Sequence, residues 1–231
     1  MNQYKHLFFD LDNTLWDFER NSTETLTELY YNFNLVTLGV TSLETFLEKY
    51  KERNAMMWDE YRLGKIDKAT LRDKRFQLTF WDMGLDAETA PPELPGEYLR
   101  ISPRKTNLFP HAHETLNYLS KKYTLHIITN GFVEVQEIKL AASDLAKYFS
   151  EVIISEHTGY KKPDVNIFNY SMNKSGAKPG ECLMIGDGLE IDILGAQHAG
   201  WDAVYFNPME IPHTERVTYE ITSLDELKNL F

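Results

Sequence analysis

Cysteine is nearly absent. Cys182 is the one thiol in 231 residues, so no internal disulfide can form and stability has to come from a packed core. It sits in the apolar run 182–185, which reads as a buried, inert thiol and not a nucleophile. Long apolar runs are missing too. Nothing approaches the roughly 20 residues that cross a bilayer, so no membrane partner is expected. The short apolar stretch 7–9 is too brief for a secretory signal; with the lone cysteine, this gives a cytoplasmic location as the expectation. Positive charge is scarce: 24 Lys and Arg face 35 Asp and Glu, for a net charge of −11. Such a surface repels a phosphate backbone, so nucleic acid is not an expected partner, whereas a small anion in a locally positive pocket is compatible with it. Internal repeats, low-complexity tracts and charged tails are also lacking.

What is present is an ordinary globular composition, 42% hydrophobic and 26% charged, arranged in two textures. From about residue 105 onward, short apolar runs alternate with helical patterns. The runs are 125–129, 151–155, 182–186 and 203–206, and the opening run 6–10 is of the same type. Helical patterns cover 112–122, 133–142, 165–175, 191–199 and 223–230. Runs without polar alternation, separated by helices, predict a parallel sheet buried on both faces. Residues 16–104 differ. They carry amphipathic patterns at 23–33, 43–61 and 68–81, with Thr41 and Ser42 where a helix cap would sit and Pro91, Pro92, Pro95 and Pro103 punctuating the return. The expected fold is therefore α/β: a Rossmann-like parallel sheet with helices on both faces, formed by 1–15 and 105–231, plus a helical bundle inserted at 16–104.

Ligands of open parallel sheets bind beyond the carboxyl ends of the strands, which directs attention to four places. The first strand ends in Asp10-Leu11-Asp12. Two carboxylates so close repel unless a cation or a shared proton intervenes, and a hard cation such as Mg²⁺ suits an all-oxygen setting; an Asx turn is the bland alternative. The second run ends in Thr129-Asn130-Gly131 before a helix, where a hydroxyl and free N–H groups can hold phosphate oxygens or merely cap the helix. Lys162 precedes Pro163 and is held on extended backbone, aimed at a fixed charge or simply solvated. The fourth run ends in Gly186-Asp187, with Asp192 following; Asp187 is placed to ligate a metal, and Asp192 to support it from behind or to ligate it directly. Singly these motifs are weak. Together, in order and at successive strand ends, they describe a metal-assisted phosphoryl-transfer site.

Those same stretches, Asp10–Leu15, Thr129–Phe132, Lys162–Asp164 and Gly186–Asp192, resemble the four motifs of the haloacid dehalogenase superfamily across essentially the whole core. The resemblance implies a helical cap inserted after the first motif, with cap residues selecting the substrate. It implies Asp10 as nucleophile, Asp12 as general acid and base, and Mg²⁺ held by Asp10, Asp187 and the Asp12 carbonyl. Thr129, the Asn130 backbone and Lys162 would hold the phosphoryl oxygens. Asp12 sets the chain apart from the superfamily's 2-haloacid dehalogenases, which lack that carboxylate. Phosphonatases need a cap lysine, and Lys49, Lys51 and Lys65 show no diagnostic context for it. Within the superfamily the chain is most similar to pyrimidine nucleotidases, 5′-nucleotidases of nucleoside monophosphates. The similarity rests on Trp16-Asp17-Phe18, Tyr61 to Ile66 with Arg75-Phe76, Thr129 to Gln136, and Tyr205 to Pro208. The expected partner is thus a small phosphomonoester, with a sugar phosphate as the alternative substrate; a mutase or a non-catalytic phosphometabolite sensor are the remaining readings. Cap aromatics such as Trp16, Phe18, Trp58 and Tyr61 read as core before they read as base-stacking platforms. Two departures stand out: His111 follows Pro110 where Gly is common, and Gly188 replaces a Ser or Thr.

Overall fold

A computed structural model of the chain describes residues 4–231; positions 1–3 of the expected core segment lie outside them. By backbone contacts the chain divides into two units, Met1–Phe18 with Thr106–Phe231, and Glu19–Lys105.

Among the described residues the first unit holds six strands, all parallel: β1 (His6–Phe9), β2 (Thr124–Thr129), β3 (Phe149–Ile154), β4 (Cys182–Gly186), β5 (Asp202–Phe206) and β6 (Tyr219–Ile221). Their spatial order is β3-β2-β1-β4-β5-β6, a doubly wound arrangement whose order reverses beside β1. Strand β6 has no counterpart among the predicted runs; at three residues and a partly exposed edge, it carries too little apolar sequence to signal itself. Alternate residues feed two cores, as the strand period requires. Leu7, Phe9, Ile127, Ile185 and Val204 pack with Leu116, Leu119 and Leu140 on one face. On the other, Phe8, Ile128, Met184 and Ala203 pack with Ile167, Phe168, Ile193 and Trp201. Cys182 is buried there with a free thiol, pushed up to about 12 by burial.

The second unit is helical: α1 (Phe18–Asn32), α2 (Leu43–Arg62), α3 (Lys68–Asp82) and α4 (Leu94–Ile101). Ser42 caps α2 by accepting the Thr45 N–H, and Asp67 caps α3 by accepting the Thr70 N–H. Sequence punctuation at the prolines hid α4. Pro95 stands in its first turn, where the missing N–H is not needed. Leu26, Leu29, Phe46, Tyr50, Phe76, Phe80 and Tyr98 form this unit's own core. Among the described residues no helix is long and apolar enough to cross a membrane.

The remaining helices belong to the sheet unit: α5 (Ala112–Leu119), α6 (Val133–Ala142), α7 (Ser155–Thr158), α8 (Val165–Ser175), α9 (Gly195–His198) and α10 (Leu227–Leu230). Trp16 and Phe18, read from the sequence with the inserted segment, group with the sheet, where Trp16 is fully buried. The backbone leaving the sheet unit pairs with the backbone returning to it: the Asp17 N–H donates to Asn107 O at 3.1 Å, and the Phe109 N–H to Leu15 O at 3.0 Å. His111, just beyond, adopts φ +67°. This left-handed conformation explains why glycine suits that position.

Two histidines meet between β1 and β2, with His6 Nδ1 3.0 Å from His126 Nε2. Burial, with His6 adding to it, pushes His126 down to about 4. The folded chain thus refuses a proton that the unfolded chain accepts below about pH 6.5, and stability falls as pH drops from there toward 4. Urea unfolding across this range should show the parent losing up to about 3 kcal/mol relative to His126→Gln.

Candidate active site

Sheet topology brings the site together before any side chain is considered. In register, Phe9 lies between Ile127 and Ile185, so the residues just past β1, β2 and β4 emerge side by side. Beyond Phe9 the chain turns back through Asn13, at φ 60°. Leu11, Leu15 and Trp16 anchor this turn in the core, which leaves Asp10, Asp12 and Thr14 on the ligand side.

Asp10, Asp187 and Asp192 each offer a carboxylate oxygen, and the three oxygens lie within 4.8 Å of one another. Lys162 Nζ sits among them, 2.5 Å from Asp10 Oδ1 and 2.6 Å from Asp192 Oδ1, and donates to the Ile128 carbonyl at 2.8 Å. Burial raises Asp10 well above the usual carboxylate range, Lys162 opposes this, and Asp192, Asp187 and Asp12 reinforce it. Asp187 is pushed up to about 7 by burial and by Asp192, against its bond from Thr14. Burial pulls Lys162 down, but Asp10 and Asp192 outweigh it and leave the ammonium firmly charged.

Asp192 reaches this cluster through an irregular turn. Leu189–Leu194 is π-helical, with Gly188 O accepting both the Asp192 N–H (2.7 Å) and the Ile193 N–H (3.2 Å). The widened turn carries the Asp192 carboxylate under the end of β4, where it accepts the Gly188 N–H at 3.0 Å. A side chain at Gly186 would lie 2.4 Å from Asp192 Oδ2, so the close approach requires glycine there. The sequence reading placed Asp192 in the first turn of a helix, as support behind the metal ligands or as a direct ligand. Here its oxygen lies within 4.8 Å of those of both Asp10 and Asp187.

The second motif does two things. Asn130 clamps Lys162 with its side chain, donating to Lys162 O and accepting the Lys162 N–H, both at 2.9 Å. The sequence singled out its backbone instead. Thr129 Oγ1 accepts from the Gly131 N–H (3.1 Å) and from Gln136 Nε2 (2.7 Å). With both lone pairs engaged, its hydroxyl hydrogen is left to donate outward.

Three participants escaped sequence reading. Thr14 donates to Asp187 Oδ1 at 3.0 Å and accepts the Asp187 N–H at 3.1 Å. Gln136 and Lys139 both donate to Asp12. A signal for the last two existed: at i and i+3 on α6, beside Leu140, they occupy a face where apolar residues belong.

Asp10, Asp12, Asp187 and Asp192 oppose the ammonium groups of Lys139 and Lys162. The carboxylates outnumber the cations by the charge of one divalent ion, and the donor set is all oxygen, so the residues fit a hard cation such as Mg²⁺. In chelator at pH 8, Asp187→Asn should raise stability by roughly 3 kcal/mol, because the variant has no buried charge to hold. The gain should shrink as pH falls from 7 toward 4, as the folded state binds the proton and the unfolded state begins to. Thermal melts at the two pH values check this.

Residues 4–200 match the family of haloacid dehalogenase-like hydrolases. Pyrimidine 5′-nucleotidase PynA of Streptococcus pneumoniae is 33% identical, across 97% of this chain and 93% of its own length. Pyrimidine 5′-nucleotidase YjjG of Escherichia coli is 31% identical, across 97% and 96%. Among solved structures, the putative HAD-hydrolase YfnB of Bacillus subtilis, bound to magnesium, superposes with a TM-score of 0.88 at 30% identity, covering 98% of each chain.

Proposed function

The chain belongs to the haloacid dehalogenase-like hydrolases, and on that premise we propose that it is a cytoplasmic, Mg²⁺-dependent phosphatase of nucleoside 5′-monophosphates, with a preference for pyrimidines. The observation that carries this reading is the pair Asp10 and Asp12 at the end of β1. They have separate surroundings, Asp10 beside buried Lys162, which also meets Asp192, and Asp12 beside buried Lys139. In this reading Asp10 acts on phosphorus while Asp12 moves a proton. The pyrimidine preference rests on the two nucleotidases that resemble the chain over nearly its whole length.

In the first step an Asp10 oxygen forms a bond to phosphorus, the bond to the leaving alcohol breaks, and Asp12 gives that oxygen its proton. In the second, Asp12 takes a proton from water, the water oxygen bonds to phosphorus, and the Asp10–phosphorus bond breaks to release phosphate. The Thr129 hydroxyl, the Asn130 backbone and Lys162 neutralise the phosphoryl oxygens throughout. Asp10, Asp187 and the Asp12 carbonyl would hold Mg²⁺, with Asp192 supporting them; when bound, the ion supplies positive charge against the phosphoryl group. The unit built on the sheet is read as catalytic, and the inserted helices as the cap that selects the leaving group.

Phosphate release from nucleoside monophosphates, sugar phosphates and an aryl phosphate tests the reading. Turnover should require Mg²⁺, stop on chelation, and fall by at least about 10³-fold in Asp10→Asn. Pyrimidine monophosphates should lead the panel. No release by folded, Mg²⁺-loaded protein would overturn the phosphatase; faster sugar-phosphate turnover would overturn the substrate.

A further inference from the structure

Asp12 is held from behind. Its Oδ1 accepts from Lys139 Nζ at 2.5 Å and its Oδ2 from Gln136 Nε2 at 2.8 Å. Both donors are buried, Gln136 completely and Lys139 to within 4%, whereas the Asp12 side chain keeps 27% of its surface open. An ammonium this deep needs compensation. It comes from the Asp12 carboxylate and from two ring faces, with Nζ 4.3 Å from the centre of Trp16 and 5.8 Å from that of Phe18.

The mounting of these donors is stiff. Gln136 and Lys139 lie one turn apart on α6, whose first N–H, that of Val133, is tied to Glu156 Oε2 at 2.8 Å. Gln136 Nε2 also bonds Thr129 Oγ1, so one amide links the second motif to the proton-transfer carboxylate. A side chain at residue 131 would lie 2.3 Å from that same nitrogen, so Gly131 leaves room for the link. A tie serving only to pin α6 to the loop would not need both oxygens of a half-open carboxylate. Two buried donors on two oxygens fix its plane as well as its place.

We propose that Lys139, assisted by Gln136, is a positioning residue that aims the Asp12 carboxyl at the leaving oxygen, and so sets how strongly catalysis depends on the leaving group. The proposal rests on the reading of Asp12 as the proton donor. An alkoxide leaving from a nucleoside monophosphate needs that proton as the P–O bond breaks, and Asp10 takes its place on phosphorus. Nitrophenolate leaves without it. Misaiming Asp12 should therefore slow the first substrate and spare the second, whereas damage to the fold would slow both.

The test compares kcat/KM for uridine monophosphate and for p-nitrophenyl phosphate, with Mg²⁺, in the parent, Lys139→Met, Lys139→Arg, Gln136→Met and Asp12→Asn. Lys139→Met keeps the stem against Trp16 and removes the ammonium. It should lose on the order of 100-fold on the nucleotide and less than about threefold on the aryl ester, with Lys139→Arg recovering most of the difference. Gln136→Met should shift the ratio the same way by about tenfold, and it carries the test if Lys139→Met does not fold. Equal losses on both substrates, or none on either, overturn the proposal while Asp12→Asn still shows the split. If Asp12→Asn itself slows both substrates alike, the reading of Asp12 fails and the proposal falls with it.

Discussion

Lys162 Nζ stands 2.5 Å from Asp10 and 2.6 Å from Asp192, and all three groups are buried together. Carboxylates gathered at one sheet edge would drive that edge apart if unopposed, since at short range in a low dielectric their repulsion is large. The ammonium opposes it, and much of the local structure serves to keep the ammonium there. Asn130 grips the Lys162 backbone from both sides, and the Ile128 carbonyl takes one of its protons. Thr14 does the equivalent for Asp187. Even so, Asp10 and Asp187 are left with raised affinities for protons. Such a cluster of oxygen donors suits a hard divalent cation.

Backbone irregularities supply what regular elements cannot. The turn at Leu189–Leu194 is π-helical, and within it the Asp192 carboxylate lies against Gly186, which has no side chain in the way. The left-handed Asn13 reverses the chain so that Leu11 and Leu15 enter the core while Asp10 and Asp12 stay out of it. In both places a local departure from regular geometry is held by burial on either side.

Most of the fold was legible because burial on both faces of a parallel strand writes itself as an apolar run. Runs 125–129, 182–186 and 203–206 correspond to β2, β4 and β5 within a residue. The strand β6 was not, because three half-exposed residues carry no such run; nor was α4, because prolines read as breaks unless the first turn is recognised. The site divides in the same way. Asp10, Asp12, Thr129 and Asp187 stood out in the sequence because strand ends are special positions, and Lys162 because it precedes a proline. Thr14, Gln136 and Lys139 did not, because their importance lies in which distant residue they touch; polar residues on the buried face of α6 signal that something polar is met there, but not what. Asn130 shows the intermediate case: the position was visible, the bond its side chain makes was not.

The paired backbone at Asp17–Asn107 and Leu15–Phe109 has a consequence in polymer terms. Because the departing and returning chains are bonded to each other within the sheet unit, the ends of everything between them are already closed. The entropy lost in closing a loop grows only as the logarithm of its length. A few residues or a whole helical bundle therefore cost the sheet nearly the same at this joint. The joint acts as a socket, at which the insertion can grow, shrink or be exchanged while β1 keeps the register that places Asp10.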